Sequence, residues 1–390
     1  MGSPREAYAE VRDDYLLGRG WELRQCPKCS CNYFTKRGID NCASYSCNGG
    51  YTFTEVNSPR QLAELEPFVK SMASCFSSRG FVSTPPIKLL RENERTLFAS
   101  AAGQVFDPAI YGGSEPSEPK VFVIQPVIRL QKADMVGVIE GFATSFLNAA
   151  TEQWQTTASE HFESLDNWLD FFSAQGLYIG NLCLEVSQET ENWDGRIVEA
   201  ESLKINYSGL EIAIANFFHG ISQANEEATL SDISLGAERL VWAINKTGSY
   251  FDAVGPLYDA LLGRVAAMDA IRTLTLMSSA GVTAGHKNHG YQFRSLARSR
   301  AQHLQKVNTH DLAVFYYSQW ARFLEPTHER SAVEKEISSE TERNINLEFN
   351  ELLRTGIDCD QVTEDFLRTV VRKRKSTPDE LRAIIRKRGE

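Results

Sequence analysis

The chain has 390 residues, 42% hydrophobic and 24% charged, an ordinary globular composition at a length that accommodates roughly two or three domains. A formal net charge of −10 excludes a broadly basic surface of the kind that coats nucleic acid, so no DNA partner is expected and any RNA contact has to come from local patches. No stretch approaches the ~20 apolar residues of a membrane span, and the charged start Met1 to Asp14 lacks a signal-peptide apolar core. The expected location is the cytoplasm, with no membrane partner.

Cysteines cluster near the start of the chain. Cys26-Pro27-Lys28-Cys29, followed by Cys42-Ala43-Ser44-Tyr45-Ser46-Cys47, forms two knuckle-like pairs around a short stretch that contains aromatic residues. That spacing lets four thiolates converge on one tetrahedral zinc, which can fold a segment too small to bury its own core. Cys26, Cys29, Cys42 and Cys47 are therefore the candidate ligands of a small zinc-binding module over residues 1–60, with Cys31 as a spare. Four protein ligands close the coordination shell, so this metal is expected to be structural. Scattered reduced thiols would account for Cys75, Cys183 and Cys359, but not for this density.

Residues 61–257 carry short apolar runs at Val121 to Ile128, Leu177 to Val186, Leu203 to Tyr207 and Ile212 to Phe218, alternating with helical patterns such as Ser159 to Gln175. By pattern alone these runs fit strands or helix segments. The stretch from Gly112 to Pro119 reads as a loop inside this body. Two arginines stand at element ends: Arg129 follows the run from Lys120 to Ile128, and Arg239 precedes Leu240-Val241-Trp242-Ala243-Ile244, the start of an amphipathic helix. A guanidinium is permanently charged and presents a planar fork of donors, which suits phosphate oxygens and stacking on an aromatic base. The ordinary reading of either arginine alone is a rim charge snorkelling to water. From about Tyr258 the pattern is helical throughout, and residues 258–390 close on the basic runs Arg372-Lys373-Arg374-Lys375 and Arg386-Lys387-Arg388, which more commonly form a solvated face.

In chain order, Thr96-Leu97-Phe98, Phe106-Asp107-Pro108, Arg129, Gly141-Phe142-Ala143-Thr144-Ser145-Phe146, Gly209-Leu210-Glu211 and Asp232 to Arg239 form a recognisable series. It continues through Thr247 to Val254, Asp269-Ala270-Ile271-Arg272 and Gly290 to Leu296. The series resembles the alanyl-tRNA synthetase family, a class II synthetase, in its archaeal form, and covers most of residues 20 to 356. The resemblance implies an α+β fold: an antiparallel class II sheet flanked by helices, then an all-helical acceptor-binding domain, behind the zinc module. It also implies ATP and Mg2+. Arg129 would hold the α-phosphate and the substrate carboxylate, Arg239 would lie over adenine and reach the γ-phosphate, and Phe146 would stack on the other face of the base. Glu211 or Glu238 would stand beside the magnesium. Asp232 would pair with the ammonium of the amino acid, with Ser234, Trp193 and Glu211 around it. The ordinary alternatives are core packing for Phe146 and a helix or turn cap for Asp232.

Departures from the family bear on what is made. Ser234 replaces a glycine where the substrate side chain lies, and the glycine-rich stretch after Trp193 and Gly195 has become Arg196-Ile197-Val198-Glu199-Ala200. Alanine is the default substrate, with glycine, serine or another small amino acid open. On the acceptor side the family's asparagine that reads a wobble pair is replaced in Ala284-Gly285-His286, although Arg294, Arg298 and Arg300 stay on the helix that the resemblance assigns to RNA. His286 and His289 are spaced for a metal but are more commonly solvated. The family's editing and C-terminal domains have no counterpart in this sequence. Three functions follow: activation of a small amino acid with transfer to a tRNA 3′ end; activation with transfer to a small-molecule or carrier acceptor; or non-catalytic RNA binding. Retention of Arg129, Asp232 and Arg239 together argues against the last.

Overall fold

The computed structural model describes residues 4–56, 59, 61–91, 96–193, 196–222, 227–255, 265–300, 304 and 307–354. Gly195, Cys359 and both C-terminal basic runs lie outside the described residues. The chain divides into two compact units, the first made of Met1–Lys88, Ala99–Val127 and Phe146–Val254, the second of Leu89–Phe98, Ile128–Ser145 and Gly255–Glu390.

A mixed α+β unit comes first. Its strands are β1 (Glu22–Gln25), β2 (Asn32–Thr35), β3 (Val82–Thr84), β4 (Lys120–Ile128), β5 (Ser145–Trp154), β6 (Leu182–Trp193), β7 (Arg196–Tyr207), β8 (Leu210–Ser222) and β9 (Glu227–Gly236). They form one nine-stranded sheet in the order β1-β2-β6-β7-β8-β9-β5-β4-β3. The pairs from β1 to β5 across this order are antiparallel, and the short edge strand β3 runs parallel to β4. The helices are α1 (Pro4–Gly18), α2 (Tyr45–Asn48), α3 (Leu65–Ser77), α4 (Asp107–Gly112), α5 (Ala158–Ala174) and α6 (Ala237–Asn245).

Strand parity decides which face each residue serves. Thr151, Ser231 and Phe217 point to the face covered by α5. There Trp168 Nε1 donates to Thr151 Oγ1 at 2.8 Å, and His161 Nδ1 lies 2.7 Å from Ser231 Oγ. Helix α5 forms because its apolar residues Phe162, Leu165, Trp168 and Phe172 recur at helical spacing and are all buried. Its start is fixed by a capping box: Thr157 Oγ1 accepts from the Glu160 amide at 3.2 Å, and Glu160 Oε2 accepts from the Thr157 amide at 2.8 Å. Burial without charge compensation pushes the His161 imidazole down to about 3. The residues between these, Glu152, Asp232, Asn216 and Ser202, therefore face the opposite side.

The cysteine loop docks on the β7–β8 turn. Gly209 donates its amide to the Ala43 carbonyl at 3.0 Å, and Asn206 Nδ2 donates to the Cys42 carbonyl at 3.0 Å. A Cβ on Gly209, whose φ is +97°, would lie 2.1 Å from the Gly50 carbonyl oxygen. The glycine of Gly209-Leu210-Glu211 is thus required twice over, by its left-handed backbone and by this close approach.

The second unit holds α7 (Val265–Ser279), α8 (Asn288–Ser299), α9 (Thr309–Trp320) and α10 (Arg330–Arg354). Asp269 and Arg272 on α7 are fully buried and work as a polar anchor. Asp269 accepts from the Thr144 amide at 2.8 Å and from Thr144 Oγ1 at 2.7 Å, while Arg272 donates to the Ser145 carbonyl and lies 4.5 Å over the Trp320 ring. Motif residues Asp269 and Arg272 therefore hold the segment that ends in Thr144-Ser145. Burial raises the Asp269 pKa, against the lowering effect of the Thr144 hydrogen bonds and Arg272.

Candidate functional site

On the open side of the sheet the register lines up a transverse polar row. Glu152 pairs with Asp232, Asp232 with Asn216, Asn216 with Ser202, and Ser202 with Ser187. Ser202 Oγ donates to Asn216 Oδ1 at 2.7 Å, which aims the Asn216 amide NH2 away from that bond. One step toward the end of β9, half-buried Ser234 pairs with Ala150 and Ile214. One step the other way, Leu230 and Phe218 begin an apolar wall with Ala200 and Trp154. Trp193 joins that wall, its ring 4.8 Å from Phe218, and its indole N–H donates to Glu191. Asp232 and Ser234 are thus brought to one face, with Trp193 further along it.

Strand β9 ends at Gly236, which is the N-cap of α6. A Cβ at Gly236 would sit 3.6 Å from Phe146 Cδ2 and 3.9 Å from Arg239 Cβ, so the two residues flank the same bare backbone. Arg239 Nη1 donates to the Glu211 carbonyl at 3.4 Å, tying the arginine to the start of β8. Phe146, Glu211 and Arg239 are therefore close neighbours. Glu238 points inward: it is fully buried and both its oxygens accept from the Leu147 amide at 3.0 Å. That bond holds α6 to β5 and leaves half-buried Glu211 as the carboxylate better placed for a cation. Arg129 belongs to the second unit, where its amide donates to the Thr144 carbonyl at 2.9 Å.

Glu152 was not singled out from sequence. It is fully buried, no donor among the described residues reaches either of its oxygens with hydrogen-bond geometry, and Asp232, 9% exposed, is a charged neighbour. Burial, then the Asp232 charge, raises the Glu152 pKa well above the carboxylate range. Only the pairing of β5 with β9 reveals this contact, which spans distant parts of the sequence.

Four cysteine sulfurs, those of Cys26, Cys29, Cys31 and Cys42, lie within 4.8 Å of one another. Cys47 is buried in the same cluster but outside that foursome, so Cys31, set aside by spacing, enters as a candidate ligand beside it. A tight turn brings Cys31 in, the Cys26 amide donating to the Cys31 carbonyl at 2.8 Å. Burial raises the Cys26 thiol, but backbone donors from Cys42, Lys28 and Cys29 outweigh it and hold the group near about 6. Four soft thiols at this separation fit a tetrahedral zinc.

In the second unit, Gly285, His286, Tyr291, Arg294, Arg298 and Arg343 line a cavity of about 170 Å³. His286 Nε2 accepts from Arg294 Nη1 at 3.0 Å. Buried Glu340 pairs with Arg294 at 3.5 Å and Arg343 at 3.1 Å, so the lining keeps an excess of positive charge suited to phosphate. Arg300 is not in this lining; it donates to the Ala133 carbonyl. His289 Nε2 donates to the Leu97 carbonyl at 2.6 Å, so it supports the fold rather than pairing with His286 on a metal. Gly290 is fixed by sterics, since a Cβ there would meet the Thr283 carbonyl at 2.7 Å. Sequence reading passed over Arg343, which lies outside the motif series.

No protein-family model matches the chain. Among curated proteins, alanine–tRNA ligase of Thermoplasma acidophilum is 25% identical over 267 residues, covering 63% of this chain and 30% of that protein. The ligase of Korarchaeum cryptofilum is 26% identical over 259 residues, 65% of this chain and 28% of its own. That of Sulfurisphaera tokodaii is 26% identical over 256 residues, 63% and 28% respectively. The chain therefore spans about 30% of the length of the curated relatives it matches. Among solved structures, pyrrolysyl-tRNA synthetase from Desulfitobacterium hafniense aligns with a TM-score of 0.34 at 13% identity, over 50% of this chain and 75% of that one. By sequence, the chain is a homologue of the archaeal alanine–tRNA ligases across about two-thirds of its length.

Proposed function

We propose that this protein is an alanyl-tRNA synthetase-like ligase that activates a small amino acid, alanine by default, with ATP and passes it to an acceptor, a tRNA 3′ end in the first instance. Homology to alanine–tRNA ligases supports the class of reaction. The single observation that carries the reading is the β9–α6 junction, which puts Asp232, Ser234 and Arg239 along one strand and its following helix, with Phe146 beside Gly236.

The carboxylate of the amino acid attacks the α-phosphorus of ATP, pyrophosphate leaves, and the aminoacyl adenylate remains. Charge grows on phosphoryl oxygens in that step, so fixed cations rather than proton transfers do the work. Arg239 is assigned to adenine and the γ-phosphate, Phe146 to the other face of the base, and Arg129 to the α-phosphate and the carboxylate. Asp232 takes the ammonium, a charge-assisted bond strengthened by its burial. Magnesium supplies neutralisation of the phosphate charge when bound, and Glu211 is the side chain that would hold it. In the second half-reaction a hydroxyl of the acceptor attacks the acyl carbonyl and AMP leaves. The cavity between Tyr291, Arg298 and Arg343 is assigned to acceptor phosphates. Zinc is assigned to the cysteine loop as a structural ion.

Amino-acid-dependent exchange of pyrophosphate into ATP tests the first half. Wild type exchanges with one small amino acid, and Arg239→Ala lowers kcat/KM by about 100-fold or more; an Arg239→Ala protein that exchanges normally excludes the site. Ser234→Gly shifts discrimination between alanine, glycine and serine by about 10-fold, the scale that one hydroxyl or methyl in a pocket carries. Trapping of the acyl product with and without total tRNA tests the second half. A second reading, transfer to a small-molecule or carrier acceptor, is favoured by the commitment of the His286 ring nitrogen to Arg294 and the inward turn of Arg300. Acyl product formed without tRNA decides for it.

A further inference from the structure

Glu152 has no part in the reaction as assigned above, yet it is a carboxyl buried on the open face at a cost. It is fully buried, among the described residues its two oxygens have no hydrogen-bond donor, and the charged group Asp232 beside it has the same sign. Its other neighbours are small or apolar: Ala150 two residues back and Trp154 two residues on share its face, and a Cβ at Gly103 would come within 3.3 Å of Oε1. A leucine or glutamine would fill this volume without a second acid. The carboxyl is therefore closed off on the Gly103 side and placed against Asp232, the residue assigned to the ammonium.

Two carboxyl groups held this close do not both ionise; one keeps a proton, and the pair carries a single negative charge. That charge matches one ammonium. Next in the row, Asn216 is oriented by Ser202, so its NH2 repels rather than attracts a cation and closes the cradle on the β8 side. Resting on the assignment of Asp232 to the substrate ammonium, we infer that Glu152 is a positioning and specificity residue for the amino-acid site. As a neutral acid it donates its O–H to the Asp232 carboxylate, and its carbonyl oxygen accepts one N–H of the substrate. The ligand class it selects is a primary, unsubstituted α-ammonium with hydrogens for both acids. An N-methyl amino acid keeps two N–H bonds, but its methyl group takes one of the three ammonium positions and leaves a single rotamer that serves both acids, so it is disfavoured.

The test measures calorimetric binding of glycine, alanine, serine and N-methylalanine without ATP, beside KM for amino acid and for ATP in pyrophosphate exchange. Wild type is compared with Glu152→Leu and Glu152→Gln, whose amide keeps one donor and one acceptor. Glu152→Leu is expected to weaken binding of the preferred amino acid about 10- to 100-fold, the range of a hydrogen bond to a charged group, with KM for ATP unchanged. Glu152→Gln is expected to recover affinity to within about threefold of wild type, and only Glu152→Leu should lose the preference for alanine over N-methylalanine. Equal amino-acid affinity in wild type and Glu152→Leu overturns the inference while an exchanging wild type keeps the function. Glu152→Gln as damaged as Glu152→Leu, with both KM values shifted together, also overturns it. A wild type that binds amino acids in an E152L-sensitive way but never exchanges sinks the proposed activity and leaves the cradle standing. Absence of any amino-acid binding overturns both.

Discussion

Gly209 and Glu152 illustrate opposite constraints on single side chains. At Gly209 one added methyl group collides with the Gly50 carbonyl, and the backbone there is left-handed. Gly209→Ala is therefore expected to destabilise the protein by about 2 kcal/mol or more, read from a urea midpoint shift. Glu152 is tolerated rather than required for packing. Burial and the Asp232 charge raise its pKa above the ordinary 4.5, so the folded state binds its proton more tightly than the unfolded state does. The stabilising contribution is complete below 4.5 and is lost as pH rises toward the folded value. Glu152→Gln should consequently melt higher than wild type at alkaline pH, and the gap should narrow on acidification toward 4.5. A constant gap across pH would mean that this carboxyl does not titrate as described.

At the level of elements, the cysteine loop shows what spacing conveys and what it omits. Pairs at Cys26/Cys29 and Cys42/Cys47 were legible as a metal-binding pattern, whereas Cys31 entered only through the turn at Ser30, whose φ is +63°. Bound zinc released to a chelating dye is expected at about one ion per chain. Cys26→Ser and Cys31→Ser should lose it, and Cys47→Ser should retain it; the reverse result would return Cys47 to the shell. The run from Val121 to Ile128, which by pattern fits a strand or a helix segment, is β4, buried on both faces. The apolar runs understated β6 and β7, because their distal halves are mostly polar, with Ile197 exposed and Glu201 buried, and carry no continuous hydrophobic signal. The helix expected from Ser159 to Gln175 is α5 to within a residue at each end, its capping box and apolar spacing both being local signals. The Glu152–Asp232 contact is a product of non-local pairing, and nothing in the local sequence around either residue encodes it.

Over the whole molecule, charge is distributed unevenly. A chain of net charge −10 keeps a cavity ringed by Arg294, Arg298 and Arg343, so binding of a polyanion there is expected to be local and sensitive to salt. Arg298→Glu should weaken tRNA binding and reduce the slope of log affinity against log salt by about one, without altering pyrophosphate exchange. An unchanged slope would remove Arg298 from the phosphate contacts. Point substitutions suit this question better than deleting the helical residues, since Thr144 takes its hydrogen-bond partner Asp269 from α7. The same interleaving bears on how such a protein can be remodelled. Because the chain passes back and forth between its two compact units, with Leu89–Phe98 and Ile128–Ser145 counted with the helices, no single recombination point separates one unit from the other. A new acceptor specificity has to arise by accumulating substitutions in place, not by exchanging a contiguous cassette.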